Sequence, residues 1–156
     1  RLKERWPDCP IVIGTGDAAK LRDPVANLSA MTGLDVLSPP ADETVAGGDV
    51  YEAAGLRWRV LDTPGHCAGH VSFLLEADAG PTQAVAGDVL FQGSIGRTDF
   101  PDGDFDTLRE SIHTQLFPLP GDTVVYPGHG PTTTIEAEKR GNAFVGAPAG
   151  YVERPA

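Results

Sequence analysis

Residues 61–70, Leu-Asp-Thr-Pro-Gly-His-Cys-Ala-Gly-His, join the end of an apolar strand to a sharp turn that carries a histidine. The preceding residues 56–61 alternate between apolar side chains and arginines, which predicts a strand with one apolar face. A strand end is a rigid platform, and a glycine in the turn lets the backbone approach whatever lies in the adjacent crevice. The pattern makes His66 a candidate functional residue.

Two later segments have the same design. Residues 85–88, Val-Ala-Gly-Asp, present Asp88 after an apolar strand, and residues 124–130, Val-Val-Tyr-Pro-Gly-His-Gly, present His129. Ligands in α/β sheets gather at the carboxyl ends of strands, and imidazole and carboxylate groups bind zinc, iron or manganese. Spacing alone leaves two interpretations open, a metal site or three ordinary turn residues.

The neighbouring reactive side chains have less direct roles. His70 begins a predicted strand over 70–76, and we expect it to support the loop of His66 by a hydrogen bond, as outer partners of metal ligands do. Cys67 could act as a nucleophile, but a thiol beside Ala and Gly in a turn is more often inert. His113 falls on a predicted helix and is expected to be solvated.

Composition excludes several classes of protein. The 156 residues correspond to about one domain, and the net charge of −10 does not suit a nucleic-acid binder, which needs clustered Lys and Arg. No apolar run approaches the roughly 18 residues of a membrane span. The two cysteines are too few for a disulfide framework. We expect a cytoplasmic protein with a small-molecule substrate that could form a homo-oligomer.

Apolar periodicity outlines alternating strands and helices. The predicted strands cover residues 10–13, 56–61, 70–76, 83–87 and 123–126. The predicted helices cover residues 24–32, 106–116 and 134–142, and residues 17–22 could form a helical turn. This order predicts an α/β or α+β fold with a sheet covered by helices. Residues 38–48 are predicted to form a surface loop or hairpin connection, and residues 146–156 a flexible tail.

Four motifs carry a resemblance to a known family. They are Thr-Pro-Gly-His-x-x-Gly-His at 63–70, Gly-Asp-x-Leu-Phe at 87–91, Gly-Arg-Thr-Asp at 96–99 and Tyr-Pro-Gly-His-Gly-Pro-Thr-Thr at 126–133. In this order they resemble the later motifs of the metallo-β-lactamase fold superfamily, and within it the glyoxalase II-like (hydroxyacylglutathione hydrolase-like) metallohydrolases. The resemblance covers residues 1–145 and implies an αββα sandwich with metals at one edge.

The resemblance also implies roles for the three candidate ligands. His66 would bind a first metal, Asp88 would bridge two metals, and His129 would bind the second. Two zinc ions are implied, with iron or manganese as possible replacements. A metal-bound water positioned by Asp88 would attack the carbonyl carbon of an acyl thioester, and the thiolate would leave.

Residues 96–100 leave two further questions open. The resemblance suggests that Arg97 binds a substrate carboxylate, and the alternative is a salt bridge to Asp99 or Asp102. The same segment, Gly-Arg-Thr-Asp-Phe, also resembles the persulfide dioxygenase branch of the fold, whose members hold one iron. The metal content of the intact protein would separate hydrolase from dioxygenase.

One motif of the resembled family is absent from the sequence. The signature His-x-His-x-Asp-His, which supplies further ligands to both metals, would precede the helix that residues 1–6 are predicted to finish. We therefore expect residues 1–145 to form the C-terminal portion of one domain and the N-terminal half to be its partner. With two protein ligands per ion, this chain alone should bind metal weakly and be nearly inactive. A metal-free half-domain that acts as an assembly piece is the non-enzymatic alternative.

Overall fold

The computed structural model describes residues 2–76 and 80–153. Three α-helices are described: α1 (Leu2–Arg5), α2 (Phe105–Ser111) and α3 (Ile135–Gly141). The strands are β1 (Val12–Gly14), β2 (Glu43–Val45), β3 (Val50–Ala53), β4 (Leu56–Asp62), β5 (Val71–Leu75), β6 (Gln83–Gly87), β7 (Leu90–Phe91), β8 (Ser94–Ile95), β9 (Val124–Pro127) and β10 (Thr133–Thr134). Short 3₁₀ segments cover Thr15–Arg22, Ser29–Thr32 and Ala147–Ala149, and a π-helical turn covers Ile112–Leu116.

Six of the strands form one mixed sheet in the order β10-β9-β6-β5-β4-β3. Strands β6 and β9 run parallel, because the α2 segment crosses over between them, and the other neighbours are antiparallel. Strands β1 and β2 form a small parallel pair, and β7 and β8 form a hairpin. The mixed α/β fold class predicted from the sequence is confirmed.

The hydrophobic core lies between the helices and one face of this sheet. Alternate strand residues supply one side of the core: Leu61, Leu74, Ala84, Ala86 and Val125. Helical residues supply the other side: Leu108, Ile112, Leu116, Phe117 and Ile135. Burying a large apolar side chain stabilises the fold by roughly 1.5–3 kcal/mol, so these contacts hold the strand ends in fixed relative positions.

The opposite face of the sheet also carries apolar side chains. The register pairs Val60 with Phe73, Phe73 with Val85, and Val85 with Tyr126, so the four form one row across the sheet. Val60 is fully buried, but Val85 and Tyr126 are 42% and 41% exposed. This row therefore ends in apolar surface that is open to solvent.

Helix α2 begins one residue earlier than predicted. Its N-cap is Asp104, which has the extended backbone of a cap and whose carboxylate accepts a hydrogen bond from the Thr107 amide at 2.7 Å. Helix α3 is capped by Thr134, whose hydroxyl accepts a hydrogen bond from the Ala137 amide at 3.3 Å.

The first third of the chain differs most from its prediction. The helical turn predicted over 17–22 lies within a longer 3₁₀ segment, and the helix predicted over 24–32 is helical only at Ser29–Thr32. The Asp23 carboxylate accepts hydrogen bonds from the amides of Val25 and Ala26, which closes a turn in place of a helix. Strand β2 lies inside the predicted loop 38–48, because its parallel pairing with β1 has no local sequence signal.

The end of the chain is packed where a flexible tail was predicted from residue 146. The Tyr151 ring lies 4.7 Å from the Phe117 ring and 4.9 Å from the His113 ring. His113 is therefore not simply solvated: its Nε2 lies 2.8 Å from the Val145 carbonyl oxygen. Residues 154–156 of the predicted tail lie outside the described residues.

Candidate metal centre

The three candidate ligands meet at one edge of the sheet. His66 follows β4, Asp88 follows β6 and His129 follows β9. The Nε2 atoms of His66 and His129 each lie 3.6 Å from the same atom, Oδ2 of Asp88. One carboxylate oxygen thus stands between two imidazole nitrogens.

These distances suit a cation between each pair better than a direct contact. A charge-assisted hydrogen bond between imidazole and carboxylate would be about 2.7–2.9 Å long. Two ligands of one tetrahedral zinc ion, each about 2.0–2.1 Å from the metal, lie about 3.4 Å apart. The observed 3.6 Å separations are close to the second value, so the donor set fits a carboxylate shared by two metal ions.

The ring of His66 is already oriented for this role. Its Nδ1 atom lies 2.9 Å from the carbonyl oxygen of Arg97, which can only accept a hydrogen bond. The proton of the neutral ring is therefore assigned to Nδ1, which leaves the lone pair of Nε2 directed toward Asp88. His66 is 20% exposed in its side chain, so the ring is also confined by packing.

Close backbone packing fixes the position of Asp88. The register of β6 shifts between Val85 and Gly87, and Gly87 has a φ of +53°, which turns the chain at the strand end. A Cβ atom on Gly96 would lie 1.8 Å from the Asp88 carbonyl oxygen, and one on Gly128 would lie 2.2 Å from Asp88 Oδ1. Both glycines are therefore required for the carboxylate to occupy its place.

His70 lies at the base of the His66 loop. Its Nδ1 is 2.9 Å from the Thr63 hydroxyl, which is in turn 2.9 Å from the Ser72 hydroxyl, and its carbonyl oxygen accepts from the Thr63 amide. The rings of His70 and His66 are packed edge to face, with their centroids 6.3 Å apart. His70 therefore supports the base of the loop and makes no hydrogen bond to His66 itself. Burial, together with the nearby His66, lowers the pKa of His70.

Two carboxylates from distant segments hold the outer side of the same loop. Asp17 accepts from the Gly69 amide at 3.0 Å, and Asp102 accepts from the Ala68 amide at 3.2 Å. Lys20 forms ion pairs with both carboxylates. We call Asp17, Lys20 and Asp102 the loop clamp. No motif in the sequence pointed to it, because its members are up to 85 residues apart.

The same clamp suppresses the reactivity of Cys67. The thiol donates a hydrogen bond to Asp17 Oδ2 at 2.8 Å. Burial and the adjacent Asp17 carboxylate raise the pKa of Cys67 to about 12. Since only the thiolate is a nucleophile, Cys67 is the inert structural residue that its sequence context favoured.

The Arg97 side chain lies outside the three-ligand cluster. Its guanidinium makes two hydrogen bonds of 2.7 Å to the carboxylate of Asp99 and stacks on the Phe100 ring at 3.9 Å. This pairing lowers the pKa of Asp99 to about 2. The ion pair forms with Asp99, whereas the other candidate, Asp102, belongs to the loop clamp.

The residues of this chain supply only part of a metal coordination shell. Within residues 2–76 and 80–153, no three His, Cys, Asp or Glu side chains form a group that could hold a metal ion by themselves. Each ion would take one imidazole and one carboxylate oxygen from this chain, fewer than the three or four ligands usual for zinc.

Among the described helices, none is long and apolar enough to cross a membrane.

Known proteins are similar to this chain in both sequence and fold. A sequence model of the metallo-beta-lactamase superfamily matches residues 1–129. A probable metallo-hydrolase of Streptococcus pyogenes serotype M6 is 41% identical over 147 residues, which are 92% of this chain and 62% of the relative. Hydroxyacylglutathione hydrolase GloC of Haemophilus influenzae is 47% identical over 98 residues, 63% of this chain and 45% of the relative.

Solved structures agree with these matches. BLEG-1 B3 metallo-beta-lactamase superposes with a TM-score of 0.84 at 36% identity, covering 92% of this chain and 68% of that one. TTHA1623, solved in a di-iron-bound form, gives 0.73 at 36% identity, with 92% and 68% covered. ETHE1 from Myxococcus xanthus gives 0.70 at 31% identity, with 94% and 55% covered.

The chain therefore belongs to the metallo-β-lactamase superfamily, and its relatives include a probable metallo-hydrolase. Proteins of this fold bind divalent metals such as zinc or iron, as the di-iron form of TTHA1623 illustrates. The chain spans 62% and 45% of the length of the two relatives described above.

Proposed function

We propose that this chain provides the metal-binding C-terminal part of a thioester hydrolase of the glyoxalase II type. The observation that carries the proposal is the convergence of His66 and His129 on Oδ2 of Asp88, each at 3.6 Å. The 47% identity to a hydroxyacylglutathione hydrolase supports an acyl-glutathione thioester as substrate. The ligands would hold two zinc ions, with iron or manganese as alternatives.

The residues of this chain would contribute mainly by orientation. Bound divalent metals would supply a Lewis acid and lower the pKa of water toward about 7. Asp88 would hold both metal positions in register through one oxygen, and the Arg97 carbonyl would keep the His66 ring aligned. The thiolate of a thioester leaves without strong protonation, so the reaction does not need a nucleophilic Cys67.

Arg97 is proposed to bind a substrate carboxylate. Its side chain is 57% exposed. The guanidinium donates two hydrogen bonds to the Asp99 carboxylate, an arrangement that a substrate carboxylate could also adopt. A substrate would exchange with Asp99 for the same guanidinium face. In the chimera described below, we expect Arg97→Ala to raise KM about tenfold with little change in kcat, because the role proposed for the group is in binding and not in the chemical step. An unchanged KM would remove the substrate role.

The exposed apolar row on the sheet supports a partner for this chain. Val85 and Tyr126 lie on the face that the helices do not cover, and exposed apolar patches often mark interaction surfaces. We propose that an N-terminal half-domain carrying the His-x-His-x-Asp-His ligands packs on this face. It would complete the coordination of both ions and cover the apolar row.

A chimera tests these proposals together. The N-terminal part of the Streptococcus pyogenes relative would be joined before residue 1, and zinc content and hydrolysis of S-lactoylglutathione measured. We expect about two zinc ions per chain and thioester hydrolysis, against weak zinc binding by the 156-residue chain alone. A folded, metal-loaded chimera without thioester hydrolysis would contradict the proposed substrate. Tight stoichiometric zinc binding by the isolated chain would contradict the need for a partner.

A mononuclear-iron persulfide dioxygenase is the second candidate. The segment Gly-Arg-Thr-Asp-Phe at 96–100 favours it. The structural similarity to ETHE1 is compatible with either candidate. The chimera separates the two, because one iron per chain and oxygen consumption with glutathione persulfide would favour the dioxygenase. A folded chimera that retains no metal would instead support the metal-free assembly piece.

A further inference from the structure

Glu138 is a buried carboxylate at the centre of the packing between helix α3 and the loops that carry the ligands. It is only 2% exposed. Oε1 accepts a hydrogen bond from the Thr133 hydroxyl at 2.5 Å, and Oε2 accepts from the Gly93 amide at 2.9 Å and the Asn142 side-chain amide at 2.8 Å. All three partners are neutral donors, so the group is used as a three-way acceptor and not as half of an ion pair.

One of these bonds reaches the segment that orients His66. Gly93 lies in the turn of the β7–β8 hairpin, and Asn142 also donates to the Ser94 carbonyl oxygen at 2.9 Å. The hairpin begins two residues after Asp88 and leads directly into Arg97, whose carbonyl oxygen accepts from His66 Nδ1. A shift of the hairpin would therefore move the acceptor that fixes the His66 ring.

The bond from Thr133 reaches the segment that follows the second histidine, His129. Thr133 lies four residues after His129 and pairs with Val125 in the sheet through β10. Its hydroxyl is held by Glu138 from inside the protein. The same carboxylate thus joins the hairpin after Asp88 to the strand after His129.

We propose that Glu138 is a positioning residue for the metal centre, which acts by holding the β7–β8 hairpin so that the Arg97 carbonyl stays bonded to His66 Nδ1. An acceptor is needed because the amides of Gly93 and Asn142 both donate to Oε2. Leucine at this position fills a similar volume but offers no acceptor, so both donors would be left unpaired and the hairpin would have to move. The inference rests on the proposed metal centre for its purpose, but its test reads the His66 ring directly.

The test is an imidazole nitrogen NMR measurement on the ¹⁵N-labelled 156-residue chain at pH 8, without metal. In the unmodified chain we expect His66 to show one fixed tautomer with the proton on Nδ1. The signals are assigned by their loss in His66→Gln. In Glu138→Leu we expect this signature to be lost and replaced by an average of the two tautomers. The measurement needs neither metal binding nor hydrolysis, so it does not depend on the proposed function.

Matched variants separate positioning from simple destabilisation. Ile135→Val removes buried contact from the same helix without touching the hydrogen bonds, and we expect it to keep the fixed tautomer. Glu138→Gln is the conservative variant, and we expect it to keep the fixed tautomer, because its Oε1 can accept from Gly93 and Asn142 while its NH₂ group donates to the Thr133 hydroxyl. If Glu138→Leu does not fold, Glu138→Asp withdraws the carboxylate from the Gly93 amide, and we expect the same loss of the signature. Retention of the fixed tautomer in Glu138→Leu, or in Glu138→Asp when Glu138→Leu does not fold, would overturn the proposal. An averaged tautomer in the unmodified chain would overturn it as well.

Discussion

The loops that carry the two histidines are held in very different ways. The His66 loop is bonded at its base through Thr63, on its outer side by the loop clamp, and at the ring by the Arg97 carbonyl. The His129 side chain is 78% exposed. Its described ring contact is a T-shaped one with Phe91, and the two ring centroids are 6.2 Å apart. This chain therefore orders one side of the candidate metal centre in advance and leaves the other side exposed.

Pre-organisation is therefore distributed unevenly over this one candidate site. A ligand that is already oriented loses little conformational entropy when a metal binds, whereas an exposed ring must be ordered at that moment. Asp88 belongs to both sides, because its Oδ2 is equally distant from the two rings. Substitutions should therefore have effects that depend on which side of Asp88 they touch.

Replacing the shared carboxylate should have the largest effect. Asp88→Asn keeps the shape of the side chain but removes the charge and one acceptor oxygen, so neither ion keeps its bridging ligand. We expect zinc affinity in the chimera to fall by at least about 100-fold, with activity lost in parallel. Titration with a zinc-competing dye measures the affinity. A decrease confined to one of two zinc ions would show that Asp88 serves only one side.

Crowding Asp88 from the His129 side should have the next largest effect. In Gly128→Ala the added Cβ would lie 2.2 Å from Asp88 Oδ1, so the carboxylate or the loop must move. We expect a roughly 10- to 100-fold loss of zinc affinity in the chimera, similar to the loss of an outer support. Gly141→Ala is the matched control, because a Cβ there meets no atom within 4 Å. Equal affinities of the two variants would mean that the His129 loop adapts freely.

The two histidines themselves should differ in their effect on the metal-free fold. His66→Gln breaks the hydrogen bond to the Arg97 carbonyl in a partly buried loop, and we expect a loss of about 1 kcal/mol in the free energy of unfolding. His129→Gln should change it by less than about 0.5 kcal/mol, because the ring is largely exposed. Urea unfolding of the 156-residue chain measures both values. Losses of similar size would remove the contrast between the two loops.

The ends of the central strands were predictable because their signals are local. An apolar run followed by glycine and a polar residue placed the end of β6 at Gly87, and the ends of β4 and β9 within one residue of their observed positions. The convergence of these three ends then follows from the sheet order, which brings β4, β6 and β9 to one edge. The metal-ligand roles of the three residues at this edge remain a prediction.

What the sequence did not reveal depends on contacts between distant segments. Asp17 and Lys20 lie in a segment predicted only as a helical turn, yet they hold the His66 loop some 50 residues later. The role of the Arg97 backbone carbonyl was hidden for another reason, since every residue has a carbonyl group and sequence patterns describe side chains. The buried Glu138 was hidden because a glutamate in a helix is usually exposed.

Acidification should loosen the clamped loop and leave the other loop unchanged. Lys20 lowers the pKa of Asp102, and for Asp17 hydrogen bonds from Cys67 and Lys20 outweigh the opposing effect of burial, so its pKa is lowered too. A carboxylate with a lowered pKa stabilises the fold above its unfolded value of 3.8, and this contribution is lost as the pH falls through the folded value.

Amide hydrogen exchange can follow the two loops separately. The Gly69 amide donates a hydrogen bond to Asp17. We expect its protection factor, which is the ratio of the intrinsic to the observed exchange rate at each pH, to fall several-fold between pH 5 and pH 3. The Gly128 amide donates to the Gly87 carbonyl and should keep its protection. Lys20→Met should lower Gly69 protection already at pH 5, whereas Lys3→Met, which removes a separate ion pair with Asp42, should not. Because these groups are partly exposed, the effect should stay below about 1 kcal/mol, and a parallel change at Gly128 would indicate that both loops open together.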